Sequence, residues 1–475
     1  MAECDFGRGP MFGGDAVFRF ENSYTTLPEI FYTYQAPAKF PEARIVALNK
    51  DLAHELGLDT KSAIGESDFG VLNGEPPEGS KPIAQAYAGH QFGNFRMLGD
   101  GRAVLLGEHS SPKGIYDVQL KGSGATPYSR NGDGLASIGP MLREYIISEA
   151  MHHLGVPTTR SLAVMETGQD RGDLKGAILV RVASSHIRVG TFSYASAFGT
   201  MDDVQKLADY TMARHYPDIQ DGSDKYLEFF RQACARQAHL IAQWQLLGFI
   251  HGVMNTDNMA VSGETIDYGQ CAFMEEYDPS KVFSSIDQHG RYAYKNQPTV
   301  GGWNLAVLAD AMLPLLHQNE HVAVELVQEV IEGYFERYKE AYKNGMMAKI
   351  GLSERRKGDD ALIHELLRAM EDSSLDYTHT FHSLSLGDVP KGLEGWDTQW
   401  RQRISFEADP FGTMGRANPA TIPRNAYVEE ALAAAEEGDY APVGALMEAI
   451  RNPYSQSDYT QPKPSGEEYK TFCGT

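Results

Sequence analysis

The polar side chains best placed for chemistry lie in one short stretch, residues 251–269, HGVMNTDNMAVSGETIDYG. Asp257, Asn258 and Asp267 fall within eleven residues there, and each can bind a metal or a proton. The apolar–polar alternation between them predicts a tight hairpin that brings Asn258 and Asp267 side by side, with Gly269 allowing a sharp exit. A carboxamide beside a carboxylate is a hard-oxygen site suited to Mg²⁺ or Mn²⁺ on phosphates. The alternative is an ordinary polar turn between two core strands.

The spacing within this stretch resembles the catalytic loop of protein kinases with one part missing. In kinases a His is followed two positions later by the base Asp, seven positions later by a metal-binding Asn, and then by Asp-Phe-Gly. His251 and Asn258 keep the seven-residue spacing, and Asp267-Tyr268-Gly269 stands in the place of Asp-Phe-Gly. Val253 occupies the base position and cannot accept a proton, so Asp257 is the nearest carboxylate able to do so.

Two upstream elements are suited to the phosphates of a nucleotide. Gly99-Asp100-Gly101 lies between two strand-like runs and predicts a hairpin whose backbone N–H groups approach an anion, with Arg102 adding further donors. The stretch 114–124, GIYDVQLKGSG, alternates cleanly and predicts a strand that ends at Lys121, where a kinase has its phosphate lysine. A plain hairpin and an edge-strand lysine that guards against aggregation are the alternatives.

The next segment supplies a second polar, Gly-rich loop and then a helix. The loop ATPYSRNGDGLASIG contains Asp133 and Gly134. The pattern over residues 140–155 predicts a helix with one apolar stripe, with Pro in its first turn and Gly after its end. Glu144 lies one turn into that helix, where it can pair with Lys121 as the corresponding kinase residues do. An ordinary solvated glutamate is the alternative.

Strands are predicted at residues 158–166 and 176–183, and the second leads into a segment with two arginines. Arg181 and Arg188 are seven residues apart and flank small polar residues. Arginine offers paired donors to oxyanions, so this arrangement is typical of a phosphate clamp. Surface arginines are common, and an exposed pair without function is the alternative.

Composition limits the classes of function. The 475 residues are enough for two or three lobes, and the net charge of −22 argues against general binding to nucleic acid or to an anionic membrane. A phosphate site in such a chain must therefore be a local basic pocket. We expect no membrane span and no secretory signal. The cysteines are scattered without a metal-binding pattern, which favours a reducing cytoplasm over structural zinc; they are Cys4, Cys234, Cys271 and Cys473.

The remainder of the chain is predicted to be mostly helical from residue 201 onward. A short helix is also predicted near residues 48–56. The segments 67–81 and 408–425 have the Gly and Pro content of irregular loops. The helical patterns of the C-terminal part cover residues 226–247, 303–316, 322–343, 360–370, 428–435 and 443–450.

Six ordered motifs together resemble the selenoprotein O family. They are YAGHQFGNF, LGDGRA, QLKGSGATPYSR, MLREYIISEAMHHLGVPTTRSLAV, RVASSHIRVGTF and HGVMNTDNMA…DYG, and the resemblance runs from about residue 18 to the end. That family is similar to protein kinases in fold and is described as a group of pseudokinases that bind ATP in a flipped orientation and transfer AMP to protein hydroxyls. The Gly-rich start, MAECDFGRGPMFGGD, has no match in the family.

The resemblance implies a role for each matching position. It implies Asp257 as proton acceptor, Glu144 as the ion-pair partner of Lys121, and Asn258 with Asp267 as ligands of Mg²⁺ or Mn²⁺. Cys473, third from the end, resembles the family's C-terminal cysteine, and Cys271 is suggested as its disulfide partner. The contacts implied for ATP are Gly99, Gly101, Arg102, Lys121, Asp133, Gly134, Arg181, Arg188 and Asp267.

We therefore predict an α+β, protein-kinase-like bilobal fold. A loose segment (1–17) is predicted first, followed by a β-rich N-terminal lobe (18–195) that carries the phosphate loops. A helical C-terminal lobe (196–454) carries the metal and catalytic loop. A tail (455–475) with a redox cysteine completes the prediction. The leading hypothesis is a protein adenylyltransferase that moves AMP from ATP to Ser, Thr or Tyr hydroxyls, including self-modification. The alternatives are a kinase of the same fold, UMP transfer from UTP, and a non-catalytic ATP-binding scaffold.

Overall fold

The structure is a computed structural model, and it describes residues 18–58, 66–463 and 469–471. The predicted loose segment 1–17 and Cys473 lie outside the described residues. Most described strands lie before residue 184, and the described chain is mostly helical after that point, as the α+β prediction requires. The strands are β1 (Phe20–Glu21), β2 (Tyr32–Tyr34), β3 (Arg44–Leu48), β4 (Ile83–Gln85), β5 (Ala88–Gln91), β6 (Asn94–Met97), β7 (Ala103–Ser111), β8 (Gly114–Lys121), β9 (Ala136–Ser137), β10 (Arg160–Arg171), β11 (Leu174–Ala183), β12 (Phe249–Ile250) and β13 (Ala272–Phe273).

Helices and strands are interspersed up to β13, and from α7 onward the described chain contains helices without strands between them. They are α1 (Lys50–Glu55), α2 (Glu66–Leu72), α3 (Ile138–His153), α4 (Val189–Phe198), α5 (Met201–His215), α6 (Lys225–Leu247), α7 (Gln297–Leu316), α8 (Glu320–Lys349), α9 (Asp359–Asp372), α10 (Tyr377–Ser385), α11 (Glu394–Ile404), α12 (Pro410–Ala417), α13 (Asn425–Glu436) and α14 (Ala441–Ile450).

The main sheet is antiparallel, in the order β2-β4-β7-β8-β11-β10-β3. Its central strands bury both faces, because each face has its own helical cover. Val118 and Leu120 pack with Leu52 of α1 on one face, while Leu179 and Val164 join the core around α3 on the other. The alternation predicted for β8 is therefore confirmed, and Asp117, Gln119 and Lys121 face the α3 side together with the functional cleft.

Three predictions in the N-terminal half are wrong. Gly99–Gly101 is not a hairpin turn, because β6 pairs with β5 and β7 pairs with β8, so the segment connects two different sheets. Residues 67–81 are not all loop, since α2 extends to Leu72. The helix predicted from residue 140 begins at Ile138 and is buried on nearly all sides, so it has no single apolar stripe.

The C-terminal helices agree with the predicted ones and extend them, and further helices lie between them. Asp409 caps α12 by accepting the N–H of Gly412 at 3.0 Å, and Pro410 follows in the first turn. These capping interactions outweigh the Gly and Pro content that predicted a loop at 408–425. The predicted lobe boundary between residues 195 and 196 falls inside α4 and stays a prediction.

One helical stretch of the described chain, Tyr294–Leu316, is long and apolar enough to cross a membrane by length and composition, with a mean hydropathy of 1.3. The sequence analysis expected no such run. The corresponding helix, α7, packs against α4, α6 and α8, and 56% of its apolar window is buried. This packing is that of a core helix, because its apolar surface is covered by other helices.

Helices α13 and α14 pack on α3, so the last helices among the described residues cover a helix of the N-terminal half. The loop before α13 is fixed by Arg424, whose side chain is almost completely buried. Its guanidinium donates to both oxygens of Asp376, at 2.7 and 3.1 Å, and to the carbonyl of Thr460 at 3.3 Å. This paired interaction joins α10 to the segment that carries α13.

We expect Arg424→Ala to lower the free energy of unfolding by about 3 kcal/mol, because it leaves the Asp376 carboxylate without its partner in a largely buried site. Chemical denaturation measures the change. The matched control is Arg416→Ala, which removes an exposed ion pair with Asp409 and is expected to change the free energy of unfolding by less than about 0.5 kcal/mol. Equal effects of the two substitutions would contradict the structural role of Arg424.

Candidate functional site

The candidate site is an open cleft between the main sheet and the loop that follows α6. Its volume is about 360 Å³, within the range of small-molecule sites. Six Lys and Arg side chains and four Asp side chains line it, so it is a basic pocket in a chain of net charge −22. The predicted site residues brought together here are Gly99, Gly101, Arg102, Lys121, Asp133, Gly134, Arg181, Arg188, Asp257, Asn258 and Asp267.

Four charged side chains form a network at the inner wall of this cleft. Lys121 Nζ lies 2.6 Å from both Glu144 Oε2 and Asp267 Oδ1. Arg181 Nη2 lies 2.6 Å from Glu144 Oε1 and 3.3 Å from Asp267 Oδ1. The predicted pair of Lys121 with Glu144 is therefore present, and Arg181 makes it a four-membered network. Two cations and two carboxylates balance, which is the condition for keeping such groups out of water.

This network keeps both carboxylates ionised. Burial raises the pKa of Glu144, but the attraction of Arg181 and Lys121 outweighs it and the net pKa is lowered. Burial likewise acts to raise the pKa of Asp267, and the same two cations bring it far below the ordinary value. Arg181 shows the reverse balance, because Glu144 and Asp267 raise its pKa against the effect of burial. Asp267 therefore presents a carboxylate to the cleft at any physiological pH.

The loop from His251 to Asp267 is held from within by His251. The imidazole is completely buried and burial lowers its pKa, so the ring is neutral. Its Nε2 donates to the Ile266 carbonyl at 2.9 Å, and its Nδ1 accepts the N–H of Val253 at 3.4 Å. One side chain thus ties the start of the loop to the residue before Asp267 and fixes the two halves of the site relative to each other.

The predicted hairpin between Asn258 and Asp267 is wrong, although both residues line the cleft. Ala260 bridges to Arg188, and Thr265 bridges to Thr158, so the two arms pair with other segments and not with each other. The sharp change of direction lies at Asp267, which has a φ of +66°, a left-handed conformation that is costly for a non-glycine residue. Gly269 has no positive φ and room for a side chain, so the predicted glycine exit is not required there.

Asp257 is the buried carboxylate of the site. Burial raises its pKa to about 6, and Arg188 acts in the opposite direction. Its Oδ1 is buried and has no hydrogen-bond partner among the described residues. Gly89 and Gly190 leave the space that this residue occupies, because a Cβ at Gly89 would overlap Oδ1 and a Cβ at Gly190 would crowd the Asp257 backbone. An unpaired buried oxygen with a pKa near neutrality is suited to accept a proton.

Arg188 is the second group here with an unused polar atom. Its guanidinium lies over the Tyr87 ring at 4.2 Å, and it is nearly completely buried. Its Nη1 makes no hydrogen bond within the described chain and lies 3.8 Å from Asp100 Oδ1. Burial raises the pKa of Asp100, and Arg188 opposes that rise. A buried guanidinium with an unused donor favours an anionic ligand, since only an acceptor would satisfy it.

The outer wall of the cleft consists of the two glycine-containing loops. Gly99 has a φ of +137° and faces the Tyr128 ring so closely that a Cβ would overlap it. Gly134 has a φ of +70° and touches the backbone of Gly124 in the same way. Asp133 is exposed and pairs with Arg171 at 3.2 Å. These glycines let two backbone segments approach each other closely and close the loop around the cleft.

The donors at the metal position fit a hard divalent cation. Asp267 contributes a carboxylate that stays ionised, and Nδ2 of Asn258 donates to the Val253 carbonyl at 3.0 Å, which leaves the amide oxygen to bind a cation. Within the part of the chain that the structure describes, no three His, Cys, Asp or Glu side chains cluster as metal ligands. Phosphate oxygens and water would complete the shell, as is usual for Mg²⁺.

Several lining residues were missed by the sequence analysis. Tyr87, Asp100, Tyr128, Arg130 and Arg171 all face the cleft. Arg130 carried a weak signal, because it lies beside Asp133 in the same polar loop. Tyr87, Asp100 and Tyr128 lie within the motifs YAGHQFGNF, LGDGRA and QLKGSGATPYSR but were not singled out, whereas Arg171 lies outside the motifs and reaches the cleft only through folding.

Of the two cysteines predicted to form a disulfide, only Cys271 is among the described residues. Cys271 is a buried free thiol, and burial raises its pKa to about 12. Cys473 lies outside the described residues. Thr471, two positions earlier, donates its hydroxyl to the Gln270 carbonyl at 2.8 Å, so residue 471 lies beside the neighbour of Cys271.

Among solved structures, the chain is similar to ROP2 from Toxoplasma gondii, described as a virulence factor with a protein-kinase fold and no enzymatic activity. The sequence identity is 10% and the TM-score 0.24, over 68% of this chain and 85% of that one. A likeness this weak supports no statement about function.

The sequence comparisons are far stronger. A protein described as protein nucleotidyltransferase YdiU from Geobacillus kaustophilus is 52% identical over 97% of this chain and 100% of its own length. One with the same description from Anoxybacillus flavithermus is also 52% identical, over 97% and 100%. The family described as protein adenylyltransferase SelO matches residues 16–451. The chain therefore belongs to the SelO family and is a protein nucleotidyltransferase.

Proposed function

We propose that this enzyme transfers AMP from ATP to Ser, Thr or Tyr hydroxyls of proteins and releases pyrophosphate. The observation that carries the proposal is Asp257, a buried carboxylate with a pKa of about 6 and an unpaired oxygen, in the same cleft as five arginines and Lys121. A carboxylate of that pKa can take a proton near pH 7, and the cations match a polyphosphate.

In the proposed reaction the substrate hydroxyl oxygen attacks the α-phosphorus of ATP. The new O–P bond forms as the bond between the α-phosphorus and the bridging oxygen breaks, and pyrophosphate leaves with the electron pair. The hydroxyl proton passes to Asp257. Lys121, Arg181 and Arg188 would hold the charge that develops on the leaving group. A divalent ion on Asn258 and Asp267 would neutralise phosphate charge when bound.

ATP labelled separately at the α and γ phosphates tests the proposal directly. Incubated with Mg²⁺ or Mn²⁺, the enzyme is expected to transfer the α label and a mass of one AMP to protein, detected by intact-protein mass spectrometry. Asp267→Ala is expected to abolish transfer, because it removes the metal ligand, and to lower the melting temperature of the still folded protein, because Lys121 and Arg181 are left with one carboxylate.

Each other outcome identifies a different reaction. Transfer of the γ label would mean a kinase, and binding of ATP without any transfer would mean a scaffold. UTP tested in parallel separates UMP from AMP transfer. Full activity of Asp267→Ala would contradict the metal assignment.

The pH dependence of transfer is expected to report Asp257. Its pKa is raised to about 6, so the base is ionised above that pH and becomes protonated below it. We expect kcat/KM to fall tenfold per pH unit below about pH 6, and Asp257→Asn to lose about 100-fold or more while it still binds ATP. Glu264→Gln is the control, because that carboxylate is also buried with a raised pKa but lies outside the cleft lining. An acid limb that persists in Asp257→Asn would assign the titration to another group.

We also propose that a reversible disulfide between Cys271 and Cys473 regulates the enzyme in the cytoplasm. The position of Thr471 against Gln270 supports it. Two thiols would lose two electrons and two protons to a disulfide oxidant such as oxidised glutathione. Cys473→Ser is expected to remove the difference in activity between oxidised and reduced enzyme, whereas Cys234→Ser is expected to keep it. Identical peptide maps and activity of the parent with and without reductant would contradict the disulfide.

A further inference from the structure

The hairpin of β5 and β6 lies outside the main sheet, beside the proposed base. Gly89 in β5 contacts Asp257 so closely that a side chain would overlap it. The His90 N–H donates to Thr256 Oγ1 at 2.8 Å, and the Phe92 N–H donates to Asn255 Oδ1 at 3.3 Å. The outer edge of β5 is therefore occupied by the loop that carries Asp257.

The outer edge of β6 has no such partner. The two-residue turn at Phe92 and Gly93, with φ of +52° and +85°, pairs Gln91 with Asn94 as the first hydrogen-bonded pair. Hydrogen-bonded and non-hydrogen-bonded residue pairs alternate along two antiparallel strands. Phe95 and Met97 belong to the non-hydrogen-bonded pairs, so their backbone N–H and C=O groups point away from β5. No hydrogen bond to these groups occurs within the described residues, and every residue of β6 is exposed.

One face of this hairpin carries exposed aromatic side chains. The His90 ring lies 5.2 Å from that of Phe95 and 5.5 Å from that of Trp303, and the Phe95 ring lies 6.1 Å from that of Phe198. Phe95, Phe198 and Trp303 are 41%, 51% and 37% exposed. Phe95 and Trp303, together with His90, border a cavity of about 390 Å³ that Asp310 also lines. Large apolar side chains grouped on a surface in this way are typical of a docking site.

The direction of β6 connects this surface to the nucleotide cleft. The strand ends at Met97, and the next residues, Leu98 and Gly99, line the cleft. A polypeptide paired with the outer edge of β6 would therefore run from the aromatic cavity to the cleft that holds Asp257. The occupant must be extended, because only an extended backbone satisfies a strand edge.

We propose that β6 binds an extended segment of the protein substrate by strand addition, with a large apolar side chain of that segment in the aromatic cavity. This inference rests on the proposed function, since the bound segment carries the hydroxyl that receives AMP. Backbone hydrogen bonds to Phe95 and Met97 supply affinity that does not depend on sequence, and the cavity supplies side-chain preference. Asp310 favours a basic residue next to the apolar one.

The test uses a synthetic library of peptides with one fixed serine, all other positions being randomised, together with α-labelled ATP. Met97→Pro removes an outward N–H that the hairpin does not use, as proline does at exposed strand edges. We expect it to lower transfer to the peptides about tenfold, the loss of one backbone hydrogen bond. Met97→Ala keeps the N–H and is expected to stay close to the parent. Phe95→Ala is expected to remove the preference for apolar residues near the labelled serine.

Hydrogen exchange on the parent enzyme gives a second measurement that does not depend on transfer or on a variant's folding. Saturating peptide is expected to slow exchange of the Phe95 and Met97 amides. Slow hydrogen exchange at the Phe95 and Met97 amides, without transfer of the α label to the peptides, would contradict AMP transfer but support strand addition. Transfer with unchanged exchange, and with equal rates for Met97→Pro and Met97→Ala, would overturn strand addition alone. Protection that rises with enzyme concentration in the absence of peptide would assign the edge to a second copy of the chain.

Discussion

The site depends on one electrostatic constraint, which is that Lys121, Arg181, Glu144 and Asp267 must be enclosed together. Each of the four comes from a different element: β8, β11, α3 and the loop after α6. Removing any one leaves an uncompensated charge next to the others, so the position of the strands, of α3 and of the loop is set by the same balance. The nucleotide cleft is the open side of this network, where the side chain of Asp267 meets the solvent.

The carboxyl groups of Asp257 and Asp267 differ in pKa. Asp267 is kept ionised by two cations, whereas Asp257 lies farther from them and burial dominates its pKa. Two carboxylates in one cleft thus have different acidities, one suited to bind a cation and the other to exchange a proton. This difference in pKa follows from the surroundings of the two side chains, since both are aspartates. Proteins commonly assign different roles to two carboxylates in this way.

The sequence predicted the parts of the site that local pattern controls. The alternation of β8 fixed the face of Lys121, and the helical period placed Glu144 within reach of it. Prediction from local pattern failed where the structure depends on contacts between residues that are far apart in the sequence. The space around Asp257 depends on Gly89, far away in the chain, and the arms of the loop at 258–267 pair with residues 158 and 188 instead of with each other. α12 forms despite its glycines, and it begins with an Asp cap and a Pro in its first turn, which are two local start signals.

The packing of α13 and α14 on α3 has a consequence for biosynthesis. The helix that carries Glu144 is covered by α13 and α14, which leave the ribosome long after it, and Arg424 fixes their approach. Until those residues emerge, α3 exposes apolar surface that its final partners have yet to bury. The helix that positions Glu144 therefore gains its full cover only after α14 has been synthesised, so completion of the nucleotide cleft is delayed behind the synthesis of its own lining residues.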